Sequence, residues 1–208
     1  MKAAAFEMAE QVEKLVKVYK NTKVDAQMLK DADVDAVILA IGSSPITIKL
    51  EGMDKLQHAS APEVLRHEVC PKGKVAVIGG GLVGLETADT LATDGCDVTV
   101  LEMKDEIGSD LGSLRKIAVM MKLQQMQVKM LPNSKVCKFT EEGIVLEDET
   151  LVPCNCAVFA VGFASNDSHL LVEECEKRQI PCRVIGDAKS ARRALDAIAE
   201  GFEAARTL

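Results

Sequence analysis

The chain has 208 residues, 48% of them hydrophobic, and a formal net charge of -7, enough apolar material for one large or two small packed domains. Lysines and arginines are scattered among acids, with one Tyr and no Trp, which excludes nucleic acid as a partner because no basic, aromatic-lined face is present. No apolar run nears the roughly 20 residues that span a bilayer, and acids interrupt the opening MKAAAFEMAEQVEKLVK where a signal peptide needs a continuous apolar stretch; the expected location is the cytoplasm, with no membrane partner.

In chain order, residues 3–14 carry a helical period through Phe6, Met8, Ala9, Val12 and Leu15, and Lys14 to Lys20 then alternates as a half-buried strand would. A short helix is expected over 25–31 and a fully buried strand over Asp35 to Ile41, broken at Gly42-Ser43-Ser44-Pro45; its unbroken apolar character suits a parallel sheet covered on both faces. Ile46 to Lys74 reads as a connecting segment with one helical patch at Pro62 to His67, and a domain boundary is placed near Lys72.

Lys74 to Glu102, KVAVIGGGLVGLETADTLATDGCDVTVLE, is the most informative stretch. An apolar strand ends in Gly79, glycines recur at Gly81 and Gly84, a helix follows, and a second apolar strand closes on Glu102. Gly79 permits a tight turn, Gly81 lets backbone approach a pyrophosphate, and Gly84 lets the helix lie close on the sheet. The phosphates would sit on the helix's exposed N–H groups. From Gly79 to Glu102 the distance matches the roughly 20 residues expected for an acid on the ribose hydroxyls. An acid there accepts ribose hydroxyls and repels a 2'-phosphate, and no Arg follows in MKDE, which favours NADH over NADPH.

Beyond a polar loop at Met103 to Asp110, Leu111 to Met126 reads as an amphipathic helix with Leu114, Ile117, Ala118, Met121 and Met126 inward. Val128 to Leu131, Lys135 to Thr140, Gly143 to Leu146 and Thr150 to Val152 are short strands of a small antiparallel excursion, and Cys156 to Val161 is again a buried strand, stopped by Gly162. A helix within 165–178 precedes a last short strand, Cys182 to Ile185, which ends in Gly186-Asp187. From Ser190, a plausible N-cap, the chain is helical with Ala191, Leu195, Ile198 and Phe202 on one face.

The seven cysteines form an odd number without a C-x-x-C pair, which argues against a redox dithiol, a zinc ribbon and a disulfide framework. Cys154 and Cys156 are better read as packing residues than as metal ligands, and all seven as free thiols. His58, His67 and His169 lie far apart and none stands beside an obvious nucleophile. No catalytic or metal-ligating residue is assigned.

Two pairs of segments echo each other. Val37 to Gly42 matches Val158 to Gly162, and Val77-Ile78-Gly79-Gly80 matches Val184-Ile185-Gly186-Asp187. One dinucleotide unit, 72–180, thus sits inserted within the parts of another, 1–71 and 181–208. The expected class is α/β, a Rossmann-like dinucleotide-binding fold with a parallel sheet, a small antiparallel excursion and an incomplete second nucleotide-binding domain.

Through VILAIGSSP, VAVIGGGLVGLETADTLA, VTVLEM, IGSDLG, CAVFAVG and VIGDAKSARRALDAIAEGFEAA, nearly the whole chain resembles the C-terminal part of bacterial NADH:flavin oxidoreductases of the 2,4-dienoyl-CoA reductase and enoate reductase kind. The resemblance implies an FAD/NAD(P)-binding fold with an NADH domain inserted in an FAD domain, so that residues 1–71 are a partial segment and linker of the FAD domain, 72–180 the NAD(H)-binding domain and 181–208 the last strand and helix of the FAD domain, all after a barrel that carries FMN, an iron-sulfur cluster and the substrate site. It implies that Gly79, Gly81, Gly84 and Glu102 bind NAD, that Gly162 lies on the nicotinamide side, and that Gly42, Gly186 and Asp187 belong to the FAD site. The barrel and the first glycine fingerprint of the FAD domain are missing from these residues, so the chain is expected to be a fragment that binds FAD weakly or not at all. A homo-oligomer paired through an exposed apolar edge is one arrangement open to it. Two alternatives stand beside this reading: a catalytically silent nucleotide-sensing or structural module, and a piece of an NADH oxidase or rubredoxin-type reductase.

Overall fold

A computed structural model describes residues 2–208. In chain order it contains α1 (Lys2–Leu15), α2 (Ala26–Asp31), β1 (Val37–Leu39), β2 (Ser43–Pro45), β3 (Gln57–Ser60), α3 (Ala61–Leu65), β4 (Lys74–Ile78), α4 (Leu82–Thr93), β5 (Asp97–Leu101) and α5 (Ser113–Gln125). Then come β6 (Lys129–Leu131), β7 (Val136–Thr140), β8 (Gly143–Leu146), β9 (Leu151–Pro153), β10 (Cys156–Phe159), β11 (Phe163–Ser165), α6 (His169–Lys177), β12 (Cys182–Val184) and α7 (Ala194–Thr207). Among the described residues no helix is long and apolar enough to cross a membrane.

The backbone divides into two compact units, one of residues up to Ile41 with Asp167–Leu208, the other Gly42–Asn166. These divisions differ from those placed near 71 and 180 from the sequence, because pairing partners, and not composition, hold a segment to its unit. β3 lies inside the expected linker, yet it pairs in parallel with β10, and β2 pairs antiparallel with β11.

In the larger unit the five-stranded sheet has the order β3-β10-β4-β5-β6, all in parallel pairs. Side chains of successive strand residues point to opposite faces, and both faces are covered. Val75, Val77, Val98, Val100, Cys156 and Val158 enter one core with Leu85 and Leu91 of α4 and Leu123 of α5. Ala76, Ile78, Leu101 and Ala157 enter a second core with Phe139, Ile144 and Val152 of the antiparallel sheet β7-β8-β9. This double coverage is why the strands read as continuous apolar runs. β6 joins the parallel sheet as its edge beside β5, so the antiparallel excursion is β7 to β9 and excludes the segment starting at Val128.

α5 meets the core at the expected Met126 but otherwise by a different face. Leu123 is buried and Val119, Met120 and Met126 rest on the core, whereas Leu114 is 86% exposed, with Ile117 and Met121 also outward. Two apolar stripes share this helix, and the sheet takes the one through Leu123.

In the smaller unit β1 pairs in parallel with β12, in a two-stranded sheet among the described residues. Leu39 packs with Leu29, Leu171 and Cys175, and the Arg178 guanidinium donates to the carbonyl oxygens of Leu29 and Ala32. The expected full burial of 35–41 is not met, since Ile38 and Ile41 are exposed in a two-stranded sheet. No strand forms over 14–20: α1 runs to Leu15, and Val16, Val18 and Tyr19 are exposed. Alternation without a partner strand leaves backbone amides better served by water. α7 starts at Ala194, after Ser190, with the Asp196 carboxylate accepting the Arg193 N–H. Its Leu195, Ile198 and Phe202 face outward.

Candidate functional site

The glycine run does its work through backbone contact. At Gly79 φ is +112°, and a Cβ there would lie 2.4 Å from the Ala160 carbonyl oxygen, so only glycine fits both the torsion and the approach. A Cβ on Gly84 would lie 1.9 Å from the Gly79 carbonyl oxygen. That absence of a side chain lets α4 lie directly on the end of β4. Gly81 is the N-cap of α4 and has no side-chain capping bond of its own. The open side of Gly81 faces the Asp110 carboxylate, and both Asp110 oxygens accept from the Leu82 N–H, at 3.1 and 3.0 Å.

Glu102 follows β5 and is 9% exposed. Its Oε2 accepts the Gly80 N–H at 2.7 Å, its Oε1 the Lys104 N–H at 2.9 Å. Its main chain bridges outward as well, with N–H donating to the Leu131 carbonyl and C=O accepting from the Ser134 N–H. Four backbone groups thus hold the acid, and each carboxylate oxygen keeps further acceptor capacity for a ligand hydroxyl.

At the carboxyl ends of β4, β5 and β10 a cleft of about 630 Å³ opens, lined by Gly79, Gly81, Glu102, Ser134, Val161 and Gly162 among others. The ends of parallel strands are where open α/β sheets take ligands. Gly162 has φ +102°, and its carbonyl accepts the Ile46 N–H at 3.0 Å, which ties the strand end to β2. Gly42, with φ +72°, accepts the Asn166 N–H at the far end of the β2–β11 pair. Gly84 supports the cleft from behind Gly79 and does not line it.

Gly186 and Asp187 stand in the smaller unit, in a turn after β12. Gly186 has φ +60° and donates its N–H to Glu200 Oε2 at 2.7 Å, while Asp187 Oδ1 accepts from the Arg192 N–H at 3.2 Å. The Arg192 guanidinium and the Gly186 amide hold the Glu200 carboxyl down to about 2. The structure therefore gathers Gly79, Gly81, Glu102 and Gly162 around one cleft, with Gly84 behind it and Gly42 at the adjoining ribbon. The residue that sequence reading missed is Asp110. Asp110 lies within the IGSDLG segment of the resemblance, but an acid in a polar loop carries no signal of its partner, and only the fold brings it to Leu82.

The model of the pyridine nucleotide-disulphide oxidoreductase family matches residues 3–187. The chain belongs to that family. It is 36% identical to the bilirubin reductase of Mediterraneibacter gnavus over 88% of this chain and 29% of that protein. It is 34% identical to the cinnamate reductase of Clostridium sporogenes over 93% of this chain and 29% of that one, so it spans about three tenths of the length of these relatives. Its fold is that of a 2-naphthoyl-CoA reductase solved with 2-naphthoyl-CoA, at TM-score 0.83 and 24% identity over 96% of this chain and 31% of the other. Domains of this family bind FAD and NAD(P)H. The residues present fit the phosphates of such a cofactor: α4 already holds an anion, the Asp110 carboxylate, on its first amide, and backbone with no Cβ at Gly81 borders the cleft.

Proposed function

We propose that this chain is the NADH-binding module of a flavin-dependent oxidoreductase whose other parts carry FMN, an iron-sulfur site and the pocket for an enoyl- or dienoyl-type substrate. The observation that supports it is the convergence of Gly79, Gly81, Glu102 and Gly162 on one cleft at the strand ends. The α4 amides bind the pyrophosphate, Glu102 accepts ribose hydroxyls, and Gly162 leaves backbone without a side chain beside the nicotinamide. FAD, when bound, supplies the acceptor for the hydride; Gly186 and Asp187 of the smaller unit contribute to its site. Alone, the chain holds FAD weakly or not at all and turns over no substrate. The relatives named cinnamate reductase and bilirubin reductase support the substrate class, since both names denote reductases of conjugated molecules.

The test is titration of the 208-residue chain with NADH and NADPH by nicotinamide fluorescence. At NADH one hundred times its Kd, thermal unfolding should show about 2.7 kcal/mol of added stability. Glu102→Arg should shift the NADH/NADPH preference toward NADPH, because it removes the acceptor and adds a cation for the 2'-phosphate. An unchanged preference would sink the assignment of Glu102, and no binding of either nucleotide would favour the silent structural module.

A further inference from the structure

We propose that Asp110 is a built-in occupant of the phosphate subsite, an autoinhibitory carboxylate that a dinucleotide must displace before it can bind. The inference rests on the dinucleotide reading above and concerns the regulation of that site. An α-helix leaves its first amides without intrahelical partners, and in α4, which has 12 residues, the first is the Leu82 N–H. That amide is taken by Asp110 through both oxygens. Leu85 N–H already bonds the Gly81 carbonyl, so Leu82, Val83 and Gly84 are the amides open to an anion.

The placement is specific. A Cβ on Gly81 would meet Asp110 Oδ2 at 3.1 Å; the carboxylate stands directly on the glycine face kept bare for close approach. Ser109 and Asp110 both line the 630 Å³ cleft together with Gly81, Glu102 and Gly162, so the carboxylate stands in the same cleft as the acid and the glycines of the dinucleotide reading. A phosphate on that N–H would stand against the Asp110 carboxylate, and as like charges they repel. One of them must leave.

The loop makes that exchange local. Ile107 is buried in the sheet core, Gly108 N–H donates to the Gly80 carbonyl at 2.7 Å, and Leu111 N–H donates to the Gly108 carbonyl at 3.2 Å while its side chain packs on the same core, so the backbone is held on both sides of Asp110. Between these pins Ser109 and Asp110 are exposed. Asp110 can swing into solvent by rotating its own side chain while the β5–α5 connection stays in place. The consequence is a threshold. Ligands without phosphate gain nothing from displacing Asp110, and those with a pyrophosphate gain a stronger anion on the same amides.

The experiment uses the full chain as wild type, Asp110→Ala and Asp110→Asn, titrated with NADH, inorganic pyrophosphate and adenosine. The interaction of a side-chain anion with a helix N-terminus sets the scale: Asp110→Ala should tighten NADH and pyrophosphate about fivefold and leave adenosine unchanged. Asp110→Asn, a neutral isostere that keeps the fold if alanine does not, should tighten both less. NADH binding to wild type with no tightening in either variant overturns the proposal and leaves the dinucleotide reading standing. Tightened pyrophosphate with no NADH binding in any chain overturns the dinucleotide reading and keeps Asp110 as the occupant of an anion subsite. Failure of all ligands in all chains overturns both.

Discussion

Gly84→Ala places one methyl group where the fold has no room for it. The new Cβ would sit 1.9 Å from the Gly79 carbonyl oxygen and 3.0 Å from its carbon, with the Ala160 Cβ at 3.4 Å. The nearest atoms are backbone, so no flexible side chain can yield. To reach ordinary contact α4 must retreat by about 1.5 Å, and a gap of even 0.5–1 Å already forfeits roughly a quarter to a half of each dispersion contact across it. The contacts at risk are those of Leu85, Ala88 and Leu91, all at most 1% exposed. Overpacking of this kind costs about 3 kcal/mol at the upper end of its usual range, and the better helix propensity of alanine returns at most about 1 kcal/mol. A net loss of about 2 kcal/mol follows, worth roughly 4–8 °C in Tm for a chain of this size. Gly201→Ala is the control, because its Cβ would lie 3.7 Å from Ile185 Cδ1, an ordinary contact in the interior of α7, and should stabilise by about 0.5–1 kcal/mol. Urea titration by circular dichroism, with hydrogen exchange at the α4 amides to isolate the larger unit, reads both. A Gly84→Ala chain as stable as wild type would refute the close-approach argument for this glycine.

Two further outcomes are expected. Ser60→Ala removes the capping box of α3, in which the Ser60 Oγ accepts the Glu63 N–H and the Glu63 carboxylate accepts the Ser60 N–H, at a cost of about 1 kcal/mol. Bonds from the Ser60 hydroxyl and then its amide hold the Glu63 carboxyl below its ordinary 4.5. A lowered carboxyl stabilises the fold above its ordinary value and loses that contribution as pH falls through the lowered one, so the Tm gap between wild type and Ser60→Ala should narrow below pH 4.5; a constant gap would count against the box. Thiol labelling of the native chain should be fast at Cys70 and Cys137, which are exposed. Cys154 and Cys156, pushed up to about 11 by burial, and the fully buried Cys175 should react only in denaturant, and early labelling of Cys175 would contradict the packing of α6.

What the sequence determined by itself is local. The strand, glycine turn, helix and strand from Lys74 to Glu102 were legible because each role, torsion at Gly79, close approach at Gly84, an acid ending β5, is set within one stretch of chain. Continuous apolar runs marked β4, β5 and β10 because a strand covered on both faces has no polar side to show. Tertiary structure decided the rest. β3 was invisible as QHAS, with only Ala59 buried, because an edge strand is held by backbone bonds to β10, and those leave little trace in side-chain pattern. Periodicity marked α5 as amphipathic but could not choose between the Leu114 and Leu123 stripes, since the choice belongs to the surface the helix meets. Glu102 was readable as an acid, but its clasp on the Gly80 and Lys104 amides was not, and Asp110 reaches Leu82 only through the path of the β5–α5 loop. Motifs encode what a residue offers; which partner takes the offer is fixed by elements distant in sequence, where hydrogen bonds and repulsions form only after the chain has folded.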